Sequence, residues 1–165
     1  MSTLNDNIFV TVYLGLGTNL GNKEQNIEIA LENIKKQIGK VISLSAFHVS
    51  EPLGFASVNM FLNCAVGIET ALSPNELLAK TQQIEQEMGR LRKSDAAGYS
   101  DRIIDIDILF YGDSVIEDAP TLIIPHQHIQ ERDFVLNPLV EIAPDWVHPV
   151  LGKTITELVH ELKVD

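Results

Sequence analysis

The sequence predicts an α+β fold, a sandwich of sheet and helices in the order β-α-β-β-α-β, on three observations. Residues 9–16, 41–49, 61–69 and 101–110 are dense in apolar and β-branched residues, as strands are. Two intervening stretches, from about Asn22 to Gly39 and from Ser73 to Gly89, repeat apolar residues at helical spacing. Both begin on a side-chain cap and end at a glycine.

Taken in order, residues 9–16 alternate Val10, Val12, Leu14 and Leu16 against Thr11, Tyr13 and Gly15. Gly15-Leu16-Gly17-Thr18-Asn19-Leu20-Gly21-Asn22 follows. Its spacing is neither G-x-G-x-x-G nor the lysine-bearing phosphate loop. We read it as a tight turn into a helix that starts near Asn22, with Gln25 as cap partner. Ile27, Ala30, Leu31, Ile34 and Ile38 form the buried face. After the second strand, Ser50-Glu51-Pro52-Leu53-Gly54-Phe55 opens a loop. In the third, Leu62, Cys64, Val66 and Ile68 share one face, with Phe61 and Asn63 on the other. Ser73-Pro74-Asn75-Glu76 starts the second helix, whose face is Leu77, Thr81, Ile84 and Met88. This is the ferredoxin-like order. Beyond it, residues 122–125 read as an added C-terminal strand. Short helices follow within residues 132–143, stopped by Pro144, and from a Thr154/Glu157 capping box through Leu162.

A chain of 165 residues is long enough for one domain with a sizeable core. Hydrophobic residues make up 45% and charged residues 21%, an ordinary globular mixture. With 12 basic and 23 acidic side chains the net charge is -11, which argues against nucleic acid or an anionic membrane as partner. Cys64 is the sole cysteine, so no intrachain disulfide forms and a buried, inert thiol is expected. No apolar run spans a bilayer and residues 1–7 lack signal-peptide character. The expectation is a cytoplasmic protein, working as a monomer.

The chemistry centres on Asp101-Arg102-Ile103-Ile104-Asp105-Ile106-Asp107-Ile108-Leu109-Phe110. Asp105 and Asp107 share one strand face, and Ile104, Ile106 and Ile108 the other. Two adjacent same-face carboxylates near a core are costly unless cations sit there, and Mg²⁺ suits hard oxygen ligands. Taken alone, this D-x-D fits a solvated edge strand better than a metal site.

Further residues join it. Gly15 to Gly21, Pro52-Leu53-Gly54, Phe61-Leu62-Asn63, Gln82-Gln83-Ile84-Glu85 and Gly89-Arg90-Leu91-Arg92 come first, then the D-x-D strand. Pro125-His126 and Arg132-Asp133-Phe134-Val135-Leu136 complete the set. In this order and spacing the chain resembles the 6-hydroxymethyl-7,8-dihydropterin pyrophosphokinase family, from about Val12 to Val159. The resemblance implies transfer of pyrophosphate from ATP to the pterin's hydroxymethyl oxygen, with release of AMP, in folate biosynthesis. It reverses the preference at Asp105 and Asp107, which match carboxylates holding two Mg²⁺ ions on the triphosphate.

By the same resemblance Arg90, Arg92 and Arg102 match phosphate-contacting arginines, with Arg90 and Arg92 joining the two aspartates as catalytic residues. His126 and Arg132 match further ATP contacts, and Gln82 and Glu85 line the nucleotide site. On the pterin side Asn63 matches the amide that reads the ring edge. Phe61 and Phe134 flank the ring, and Leu53 and Gly54 contact it through backbone. The chain departs from the common pattern in four places. The frequent Arg-Trp-Gly-Pro-Arg before the D-x-D strand appears as 97–102, with Tyr99 as the substitute aromatic. Gln127, Thr121 and Ser50-Glu51 are the other departures. A non-catalytic ferredoxin-like ligand-binding module, or another Mg-dependent D-x-D transferase, are the alternative readings.

Overall fold

β1 (Val10–Thr18) is the central strand of a five-stranded antiparallel sheet. A computed structural model describes residues 9–51, 59–89, 103–118 and 120–164. β2 (Gly39–Leu44), β4 (Phe61–Thr70), β1 and β5 (Asp105–Tyr111) lie in the order β2-β4-β1-β5, and β3 (His48–Ser50) also pairs with β4. The expected second strand is thus two strands. Ser45 causes the break: its N–H donates to the Ala65 carbonyl and its Oγ accepts from the Ala65 N–H. A side chain stands in for one backbone partner, and the ladder is interrupted.

α1 (Lys23–Gln37) and α2 (Pro74–Glu87) cover one sheet face. Asn22 caps α1 by accepting from the Gln25 N–H, and Ser73 with Glu76 closes a full capping box on α2. Ile27, Ile34, Leu77 and Ile84 are fully buried against Val12, Leu14, Val66, Ile68 and Ile106. Each such side chain contributes about 1.5–3 kcal/mol by leaving water. α2 gives way at Gly89, whose φ of 108° suits a residue without Cβ.

The opposite face carries α3 (Asp133–Ile142) and α4 (Ile155–Val164), packed on Tyr13, Ala65, Leu109 and Phe110. α3 is one continuous helix with Pro138 inside it, held by the buried Leu136 and Leu139. The Thr154/Glu157 box forms at the start of α4. β6 (Ile116–Asp118) and β7 (Leu122–Ile124) make a separate two-stranded sheet, so the expected added strand has a partner that the sequence reading lacked.

β5 contains a bulge. Tyr13 pairs with Phe110 and Leu14 with Ile108, leaving Leu109 as the extra residue. Ile104, Ile106 and Ile108 therefore pack under α1 and α2, while Leu109 and Phe110 both turn toward α3 and α4.

Candidate active site

A cavity of about 370 Å³ opens on the α3 side of the sheet. Its floor is built from two cross-strand rows, because directly opposed residues share a face. Gly17 stands between Asn63 on β4 and Asp105 on β5, and Gly15 stands between Ala65 and Asp107. Gly15 was expected at the end of the first strand and Gly17 in the turn after it. Both lie inside β1, which runs on to Thr18, and of the three glycines only Gly21, with φ of 69°, serves the turn. A Cβ at Gly17 would stand 3.1 Å from Asn63 Oδ1 and 3.7 Å from the Phe61 ring. Bare backbone between Asn63 and Asp105 keeps the floor flat over two strand spacings, about 10 Å.

Asn63 is buried and its amide is oriented by the protein. Nδ2 donates to Ser50 Oγ at 2.7 Å and to the His48 carbonyl at 3.4 Å. Oδ1 is left beside Gly17 on the floor. Asp105 and Asp107 are partly exposed, as the alternation of β5 dictates. Between them the Ile106 N–H donates to Glu85 Oε2 at 2.7 Å. Among the described residues β5 is the sheet's edge, and this buried carboxylate from α2 occupies a donor that no further described strand takes. Among the described residues no group of three or more His, Cys, Asp or Glu could cage a metal. A pair of carboxylates open to a cavity suits an ion that keeps water and phosphate oxygens as its other ligands, as Mg²⁺ does.

Part of the lining is basic and aromatic. Arg132 caps α3 and its guanidinium lies 5.8 Å from the Phe134 ring centre. His126 follows β7, and its N–H donates to the Leu109 carbonyl at the bulge. Its Nδ1 accepts from the His128 N–H at 3.2 Å, which puts the ring proton on Nε2. Burial first, then the charges of Arg132 and His128, push its pKa down to about 4 against the pull of Asp105. His126 is thus a neutral donor at pH 7. Between the ordinary 6.5 and about 4 the unfolded chain binds a proton here that the folded chain refuses. Stability from this group therefore falls as pH drops through that window and levels off below it. Proton NMR of the metal-free chain should give a His126 midpoint near 4. A midpoint at or above the ordinary value would contradict the burial argument.

Nine expected site residues meet around this cavity: Phe61, Asn63, Gln82, Glu85, Asp105, Asp107, His126, Arg132 and Phe134. Leu53, Gly54, Arg90, Arg92, Tyr99 and Arg102 lie outside the described residues. Gly15 and Gly17 were missed as floor residues, and so was the bond from Asn63 to Ser50. Two glycines at a spacing of two in a strand pattern were the available signal. Cys64 lines the cavity from below, with burial pushing its thiol up to about 12.

A family model described as 7,8-dihydro-6-hydroxymethylpterin-pyrophosphokinase (HPPK) matches residues 13–144. A 2-amino-4-hydroxy-6-hydroxymethyldihydropteridine pyrophosphokinase of Porphyromonas gingivalis is 44% identical over 138 residues, 84% of this chain and 93% of that protein. A protein of the same name from Aquifex aeolicus is 38% identical over 147 residues, 89% of each chain. A folic acid synthesis protein of Pneumocystis carinii is 42% identical over 144 residues, 87% of this chain but 19% of that protein. Among solved structures, wild-type Plasmodium falciparum HPPK-DHPS with pteroate superposes with a TM-score of 0.77 at 20% identity. That match covers 93% of this chain and 44% of the other, so this chain spans less than half the length of the solved protein. The structural likeness establishes the shared fold; the family model and the sequence identities establish that the chain belongs to the 7,8-dihydro-6-hydroxymethylpterin-pyrophosphokinase family.

Proposed function

We infer that the chain transfers pyrophosphate from ATP to 6-hydroxymethyl-7,8-dihydropterin, giving the pterin diphosphate and AMP, in folate biosynthesis. Family membership carries the reaction. The observation that carries its location is the pair of rows on one floor, Asn63-Gly17-Asp105 and Ala65-Gly15-Asp107. A flat bicyclic ring fits against bare backbone, with its polar edge at the Asn63 amide and its hydroxymethyl group directed toward the aspartates. Phe61 and Phe134 flank the ring, an arrangement that aromatic surfaces favour.

The hydroxymethyl oxygen bonds to the β-phosphorus of ATP and gives up its proton to solvent, and the bond from that phosphorus to the bridging α-phosphate oxygen breaks. AMP is the leaving group. Asp105 and Asp107 are the residues that would hold two Mg²⁺ ions, which when bound neutralise phosphate charge that repels the incoming oxygen. Neutral His126 donates from Nε2 to a phosphate oxygen, and Arg132 adds a fixed positive charge. Gln82 and Glu85 line the nucleotide side, with Arg90, Arg92 and Arg102 as the further phosphate contacts. Leu53 and Gly54 belong to the pterin side, and Tyr99 is the aromatic cap in place of a tryptophan.

The sheet order, with α1 and α2 on one face, supports a ferredoxin-like core within a single pyrophosphokinase domain. A monomer is the working unit of this reading. Among the described residues no helix is long and apolar enough to cross a membrane. The test is product analysis: with ATP, Mg²⁺ and the hydroxymethyl-dihydropterin, AMP should accumulate in step with the pterin diphosphate. ADP as the nucleotide product would indicate a different transfer.

A further inference from the structure

A second polar junction lies outside the cavity and takes no part in the proposed reaction. Glu141, near the end of α3, accepts from the Ala46 N–H with Oε1 at 2.8 Å and meets His48 Nε2 with Oε2 at 2.6 Å. Ala46 lies in the gap between β2 and β3, and His48 opens β3. The Ala46 N–H and then His48 hold the Glu141 carboxyl below its ordinary range. Both partners are more than a quarter exposed, at 31% and 37% of their side-chain area. The junction is therefore not part of the core.

Its position gives it a use. β3 is three residues long and, among the described residues, pairs only with β4, so few described backbone bonds fix where it sits. It supplies both acceptors for Asn63 Nδ2, the His48 carbonyl and Ser50 Oγ. The direction of the Asn63 amide thus depends on the placement of β3. The helix that holds β3 through Glu141 also carries Phe134 at its second residue, on the cavity. One side-chain junction ties two walls of the same cavity.

We propose that Glu141 and His48 are positioning residues for the pterin: they clamp β3 to α3 and so fix the Asn63 amide in its reading direction. The inference rests on the reading of the cavity as a pterin site. It predicts a selective effect, because the nucleotide side is built on α2, β5, His126 and Arg132, none of which lies on β3. Removing the clamp lets the amide turn or lose an acceptor, which weakens recognition of a polar edge.

The experiment is calorimetric titration of the wild type, Glu141→Ala, Glu141→Gln and His48→Ala, first with Mg²⁺ and a non-hydrolysable ATP analogue and then, on protein saturated with that analogue, with the hydroxymethyl-dihydropterin. Glu141→Ala should weaken pterin binding about tenfold and nucleotide binding less than about twofold. Glu141→Gln should recover most of the loss, since its Oε1 still accepts from Ala46 and its amide can donate to the other His48 tautomer. His48→Ala should shift the pterin alone, and it decides the matter if Glu141→Ala does not fold. Equal losses for both ligands mean a general structural role and overturn the clamp. Variants that match a pterin-binding wild type overturn the clamp alone. A wild type that binds no pterin overturns the reading of the cavity, and the clamp with it.

Discussion

Asp105→Ala and Asp107→Ala should each lower turnover by at least ~10³-fold, about 4 kcal/mol of transition-state stabilisation, with the fold intact. The magnitude follows from what the two carboxylates are asked to do. If they hold the ions that neutralise the triphosphate, removing one leaves uncompensated phosphate charge facing the incoming oxygen. The fold should survive because both side chains are on the cavity face, while Ile104, Ile106 and Ile108 carry the packing of the same strand. Single-turnover AMP release together with a thermal melt separates the two effects. Near-normal turnover in either variant would remove the two-ion assignment.

Phe110→Ala should have the opposite profile: a loss of about 3–5 kcal/mol of stability, from lost transfer energy and the cavity left behind. Phe110 is fully buried between the sheet and the α3/α4 layer, 5.5 Å from the His148 ring and 6.1 Å from that of Trp146. At about 2–4 °C per kcal/mol for a domain of this size, the melting temperature should fall by roughly 6–20 °C. Denaturant titration gives the free energy directly. A loss below about 1 kcal/mol would mean that α3 and α4 close over the vacancy, contrary to the packing described.

Much of this was legible in the sequence because it is local. Capping at Asn22, Ser73 and Thr154 depends on neighbours three residues away, and each helix starts where its cap predicts. Period-two alternation sorted Asp105 and Asp107 from Ile104, Ile106 and Ile108 correctly, since nothing interrupts β5 there. What was not legible depends on contacts across the fold. Gly17 has turn chemistry, and only the opposed Asn63 and Asp105 explain why a strand needs it bare. Ser45 breaks a strand by bonding to Ala65, twenty positions on. The meeting of His126, Arg132 and Phe134 with β4 and α2 follows from the resemblance. Periodicity alone does not bring segments so far apart in sequence to one cavity.

The extra residue at Leu109 has a bearing on how this chain can change length. Upstream of it β5 offers its odd-numbered side chains to the cavity, and downstream it offers an even-numbered one, Phe110, to the core on that same side. The strand therefore changes parity once. Deleting Leu109 would restore regular alternation: the aspartates stay on the cavity side, the Phe110 ring stays toward α3 and α4, and the Leu14/Ile108 and Tyr13/Phe110 pairs run on without a bulge. A one-residue deletion between Asp105 and Asp107 has no such escape, because adjacent residues of a strand point to opposite faces and the two carboxylates would part.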